Sequence, residues 1–162
     1  MCLLAAAACA GPPDARGLAA PAPAFEPLQF FAGRTSGEGA VSVLLSSPQR
    51  LRVAGEGWLM PDGSLLVEQR IEREGQQPRR RSWRIRRLGQ GRYAGTMSDA
   101  QGPVRIEASG NSLHISYADK DGLAVEQRLF LQPDGRTALN RMSLRKFGIT
   151  VARVSETIRR VD

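Results

Sequence analysis

With 162 residues, 41% apolar and 24% charged, the chain is long enough for one domain with a real core and too apolar for intrinsic disorder. The net charge of +7 is local. The stretch Pro78–Arg92, PRRRSWRIRRLGQGR, carries seven arginines and no acid, and 23 bases less these seven leave 16 against 16 acids, which excludes a surface built throughout to hold polyanions.

The chain opens MCLLAAAACAGPPD, a short apolar run leading through Ala6-Ala7-Ala8 to Cys9. This is the form of the end of a bacterial lipoprotein signal, in which small residues precede a cysteine that is lipidated. We read residues 1–9 as a truncated lipoprotein signal peptide with Cys9 as the lipidation site, ahead of a plainly cleaved signal or a cytosolic start. No Lys or Arg precedes Arg16, so the positive segment of such a signal is expected upstream of Met1. With Ala10 after the cysteine, an outer-membrane lipoprotein facing the periplasm is expected. Cys2 and Cys9 are the only cysteines, so the body of the chain has no disulfide and no thiolate nucleophile. Residues 10–28 hold five of the ten prolines and no hydrophobic period, which predicts an extended tether before a domain over 29–162.

From Phe30 onward, turn chemistry recurs every 8 to 13 residues: Pro61-Asp62-Gly63, Gly89-Gln90-Gly91, Gln101-Gly102-Pro103, Gly110-Asn111, Asp121-Gly122 and Pro133-Asp134-Gly135. Between the turns, apolar residues alternate with polar ones. Val104, Ile106 and Ala108 share one parity, as do Leu113, Ile115 and Tyr117, and again Leu123, Val125, Leu129 and Leu131. That pattern predicts antiparallel strands joined by hairpins. A row of about eight to ten such strands without long crossovers predicts an all-β, up-and-down barrel. Val151, Val154, Ile158 and Val161 also fit helical spacing, but the β-branched content of TVARVSETI favours a last strand.

Parity also sorts the arginine stretch. With Trp83 and Ile85 inward, Arg80, Arg84 and Arg86 point to water, while Arg81 and Arg87 lie towards the ends of the inward row. Aromatic and exposed arginines thus take opposite faces. A nucleic-acid surface needs them interleaved, so no nucleic-acid partner is expected.

The ordered motifs FFAG (30–33), LLVEQRI (65–71), RSWRI (81–85), GRYAGTMSD (91–99), GNSL (110–113) with Tyr117, and LNRMSLRKFGITV (139–151) resemble the bacterial domain-of-unknown-function family 3833. The resemblance runs from about Phe30 to the C-terminus. It implies a lipoprotein precursor with a lipocalin-like or calycin-like barrel and supplies no activity. In the family pattern Glu68 precedes Arg81 by one strand, and a Glu68–Arg81 pair inside the barrel would plug it or hold a ligand headgroup. Asp99, Asn140 and Arg141 are motif members that serve either as interior polar groups or as turn and edge hydrogen bonders. Trp58, Trp83, Tyr93 and Tyr117 read as core residues that would line a cavity if the barrel is hollow. The chain departs from the pattern at Arg70, Glu72 and Glu126-Gln127-Arg128, where aromatic or acidic-aromatic residues are expected.

No spacing assigns an acid, base or nucleophile. His114 stands on the polar parity of its strand, and Asp119-Lys120-Asp121-Gly122 lacks the later ligands of a calcium loop. We therefore expect a non-enzymatic, monomeric protein without metal or cofactor, tethered to the membrane and taking a small lipid-like ligand. The alternative is an envelope interaction module that works through its exposed arginine face.

Overall fold

The alternation read from the sequence becomes the inner and outer face of one closed sheet. The computed structural model describes residues 17–162. A single helical turn, α1 (Pro27–Phe30), leads into ten strands: β1 (Gly33–Val43), β2 (Gln49–Leu59), β3 (Leu65–Arg73), β4 (Arg79–Gly89), β5 (Arg92–Met97), β6 (Ala100–Ser109), β7 (Ser112–Asp119), β8 (Ala124–Leu131), β9 (Thr137–Lys146) and β10 (Ile149–Arg160). Each strand pairs antiparallel with the next, and β10 closes on β1 with Thr35 opposite Arg160 and Val43 opposite Ala152. The result is an up-and-down barrel, and closure removes the free edges through which sheets aggregate. The C-terminal segment is a strand, as its β-branched residues predict.

One predicted turn is something else. Gln101-Gly102-Pro103 lies inside β6, where the register on β7 shifts between Gln101 and Arg105. The β5–β6 reversal falls earlier, at Ser98-Asp99. Gly and Pro suit a bulge as well as a turn, because both tolerate a break in the ladder.

The stretch expected to be a tether behaves differently from Leu18 onward. Asn111, at the β6–β7 turn, accepts from the Ala20 amide (2.6 Å) and donates to the carbonyls of Leu18 and Leu131 (both 3.0 Å). The amide of Phe25 bonds the carbonyl of Gly110 (2.8 Å). Gly110 has φ +54°, and a Cβ there would come within 2.3 Å of the Ala20 carbonyl oxygen, so a side chain would push the segment off. Phe25, Phe30 and Phe31 are buried and stack on one another and on Trp83. Residues 18–31 therefore close one end of the barrel as a plug. Proline content alone predicts an extended chain; the aromatic side chains after it supply the burial that docks it.

Asn111→Ala removes the two side-chain hydrogen bonds that pin this plug and the one that ties the turn to Leu131. The expected loss is about 2–4 kcal/mol of stability, with the Ala20 amide losing hydrogen-exchange protection before the barrel strands do. An Ala20 amide as protected in the variant as in the wild type counts against the pinning role.

The interior is layered. Towards the plug lies one apolar cluster built on Leu65, Val67, Trp83, Ile85, Ile106, Leu113, Ile115 and Leu129. A second, formed by Val41, Leu51, Ile71, Val125, Met142 and Val154, occupies the other half. Interior width grows with strand number, and eight strands are about the number that side chains alone can fill. Ten strands leave room between the layers.

Candidate functional site

Polar residues placed in the inward rows make the site. Gln69 interrupts the row Leu65, Val67, Ile71 on β3; Gln127 interrupts Val125 and Leu129 on β8; Glu156 stands between Val154 and Ile158 on β10. Asn140 faces inward from β9, directly opposite Glu156 in the ladder, and its amide donates to Glu156 Oε2 at 2.8 Å. Across the barrel Arg81 Nε donates to Gln69 Oε1 at 3.0 Å, and its Nη1 lies 3.8 Å from Asp99, which also holds Arg79 at 2.8 Å. A cavity of about 180 Å³ joins these groups. Its walls are apolar, with Val41, Leu51, Ile71, Met97, Met142 and Val154 among them, and its floor includes Phe31 and Trp83. Arg73, Gln76, Gln77 and Arg79 border it at the β3–β4 turn, the end away from the plug.

Three buried polar atoms of residues that line this cavity have no hydrogen-bond partner among the described residues: Trp83 Nε1, Asn140 Oδ1 and Glu156 Oε1. Buried groups of this kind are costly unless something satisfies them. Glu156 is nearly fully buried, and burial pushes its carboxyl above the usual range; the Asn140 hydrogen bond and the Arg81 charge oppose that shift only in part. Gly37 gives the carboxyl its space, since a Cβ there would sit 1.9 Å from Glu156 Oε1. The residues that line the well thus include one donor and two acceptors without a partner.

The residues expected to be interior divide. Arg81, Trp83, Tyr93, Tyr117 and Asn140 do face inward. Tyr93 lies at the plug end, where its hydroxyl bonds Glu26 (3.1 Å) and Arg87 stacks over its ring at 5.1 Å. Tyr117 sits in the other half, and for both tyrosines burial is the main cause that raises the hydroxyl pKa. Asp99 occupies the β5–β6 turn as an ion-pair partner.

Three expectations fail. Glu68 points outward and is exposed, because β3 turns its odd residues inward; the partner of Arg81 is Gln69, one position on. Arg141 also faces out, with its guanidinium on the Asn140 carbonyl oxygen (2.9 Å). Trp58, read as core, is likewise exposed on the outer face of β2. Gln69, Gln127 and Glu156 were the residues not singled out. Their signal was legible as a polar residue breaking an apolar row.

Outside the cavity, His114 contacts Glu126 on the barrel wall, and Asp119 Oδ1 accepts from the amides of Asp121 (3.0 Å) and Leu123 (2.8 Å) as a hairpin turn residue. The expected lipidation site, Cys9, lies outside the described residues.

A ten-stranded up-and-down barrel, plugged at one end and holding a polar-floored cavity, is a barrel of the lipocalin and calycin kind. Solved structures share that fold. An S-type phycobiliprotein lyase, CPES from Guillardia theta, is 6% identical over 83% of this chain and 90% of that chain, with TM-score 0.63. A DUF3598 protein of unknown function from Nostoc punctiforme is 13% identical over 86% of this chain and 50% of that chain, with TM-score 0.64. Rv2717c from M. tuberculosis is 12% identical over 85% of this chain and 99% of that chain, with TM-score 0.59. At such identities the likeness bears on fold alone. No curated protein matches the chain. The chain belongs to DUF3833, a family of proteins of unknown function, whose profile matches residues 3–160.

Proposed function

We propose that the barrel binds a small amphipathic, lipid-like molecule that enters at the unplugged end, and that it does so as a lipid-anchored protein of the bacterial outer membrane facing the periplasm. The observation that carries the ligand reading is the set of unpartnered polar atoms, Trp83 Nε1, Asn140 Oδ1 and Glu156 Oε1, on residues that line an apolar-walled cavity. A cavity of about 180 Å³ is smaller than the roughly 300–1,000 Å³ that encloses drug-sized ligands. It suits one end of a longer molecule whose remainder leaves through the mouth. The floor selects that end by chemistry. A hydroxyl or amide accepts from the Trp83 indole and donates to Asn140 or Glu156, whereas a bare anion would face the Glu156 carboxyl. The anchor is supported by Ala6-Ala7-Ala8-Cys9 and by the tethering context it implies.

Native mass spectrometry on protein purified from its own membranes is the direct test. It should find a small amphipathic molecule released on denaturation, and Glu156→Leu should weaken uptake of a long-chain alcohol probe. A barrel recovered empty, with a variant that takes up the probe as well as wild type does, overturns the reading.

A further inference from the structure

The unplugged rim carries exposed apolar residues of an unusual kind. Leu45 is 98% exposed and Phe147 94%, at the tips of the β1–β2 and β9–β10 hairpins, and beside them Leu44 is 57% and Ile149 62% exposed. The two tips are neighbours, because β1 pairs with β10 and the Leu44 amide donates to the Val151 carbonyl (2.9 Å). Among the described residues, Leu45 and Phe147 are also the non-glycine residues with positive φ, at 62° and 50°. A bulky side chain in the left-handed region costs conformational energy that Gly or Asn at these positions would avoid. Solvation and backbone both disfavour these residues, so the free domain gains nothing from having them there.

Charge identifies what would cover them. The tip-side parts of the two hairpins, residues 39–55 and 139–155, contain Arg50, Arg52, Arg141, Arg145, Lys146 and Arg153 and no acid, and Glu38, just beyond, lies 4.0 Å from Arg52. Lys146 Nζ lies 6.0 Å from the centre of the Phe147 ring, so a cation flanks the most prominent apolar tip. Acids at this rim belong to the other turns, at Glu74, Asp99, Asp119 and Asp121. The remaining large exposed apolar residues among the described residues, Trp58, Leu59, Leu88 and Val161, sit towards the plugged end, where Glu26, Asp62, Asp134 and Asp162 mix with the bases.

From this juxtaposition we propose that the arc of rim formed by Leu44, Leu45, Phe147 and Ile149 docks on an anionic lipid surface. The apolar tips enter the boundary between headgroups and acyl chains while the flanking bases meet lipid phosphates; both contributions are those of an interfacial membrane anchor. Docking brings the mouth of the cavity to the lipid, with the Asp99 turn on the far side of the rim and Glu74, which accepts from the Arg50 amide at 3.0 Å, beside the docked arc. The proposal stands apart from the identity of any ligand, since it concerns the rim and not the floor.

Vesicle co-sedimentation tests it, with full-length Cys9→Ser protein so that no acyl anchor contributes. The wild-type rim should bind vesicles containing phosphatidylglycerol and bind far less to pure phosphatidylcholine. Leu45→Asn with Phe147→Asn should lower the bound fraction by about tenfold or more while thermal stability is kept or raised, since Asn tolerates positive φ. Arg80→Gln, Arg84→Gln and Arg86→Gln together should leave binding largely unchanged, which separates the rim from the arginine face on the wall. Failure of the wild-type rim to bind anionic vesicles overturns the proposal, as does an Asn pair that binds like wild type. Concentration-dependent self-association that the Asn pair abolishes would assign the patch to a second copy of the chain and would overturn it too.

Discussion

Phe31→Ala is expected to lower stability by about 3–5 kcal/mol, among the largest effects of any single truncation here. The ring is fully buried and meets Phe30 at 4.9 Å and Trp83 at 5.2 Å between centroids, edge to face in both cases. Such aromatic pairs add to the burial of each ring. Phe31 belongs to the plug, whereas Trp83 belongs to the wall of β4, so the contact ties a local segment to the barrel proper. It also borders the cavity floor, and its removal deepens the well instead of letting the wall collapse onto it. Urea unfolding should show a lower midpoint with an unchanged slope, because the same surface is exposed on unfolding. A loss below about 1 kcal/mol would mean that the plug is only loosely held and that the barrel stands without it.

What the sequence disclosed follows from the range of each interaction. Strand pattern is a local signal of period 2, and ten strands with short connections leave few topologies to choose from. Turns were legible where the glycine follows Asn or Asp, as at Asp121-Gly122 and Pro133-Asp134-Gly135, since a positive φ is required there. The same chemistry misled at Gln101-Gly102-Pro103, which breaks a strand instead of ending it. Docking of residues 18–31 was invisible, because it depends on Asn111, distant in sequence, and on a gap at Gly110. For the site, the family pattern directed attention to Glu68. In LLVEQRI both parities carry apolar residues, and a choice one residue out puts every side chain on the wrong face. Gln69, not Glu68, meets Arg81. Glu156 escaped notice for a different reason: an acid in a strand reads as solvent-facing, although its neighbours Val154 and Ile158 place it inside.

Glu156→Gln should change how stability depends on pH, more than it changes stability at any one acidic pH. Burial raises the Glu156 carboxyl above its unfolded value, so the folded protein holds a proton that the unfolded chain releases. Below the ordinary carboxylate range both states are protonated and the acid costs the fold no more than an amide would. As pH rises from there through the raised value, the unfolded state sheds its proton first and wild-type stability falls relative to the variant. The fall approaches about 1.4 kcal/mol per pH unit within that window and stops above it. Gln keeps an acceptor for the Asn140 amide and carries no titrating group, so its own curve lacks this segment. Urea midpoints of the two proteins, measured from about pH 4 to about pH 9, should therefore diverge upward in favour of the variant. Parallel curves would mean that Glu156 titrates as an exposed acid and that the floor of the cavity is wet. The same window bears on ligand uptake. A hydroxyl or amide that donates to Glu156 meets a stronger acceptor once that proton leaves, so its affinity should rise through the window, and in Glu156→Gln the rise should vanish.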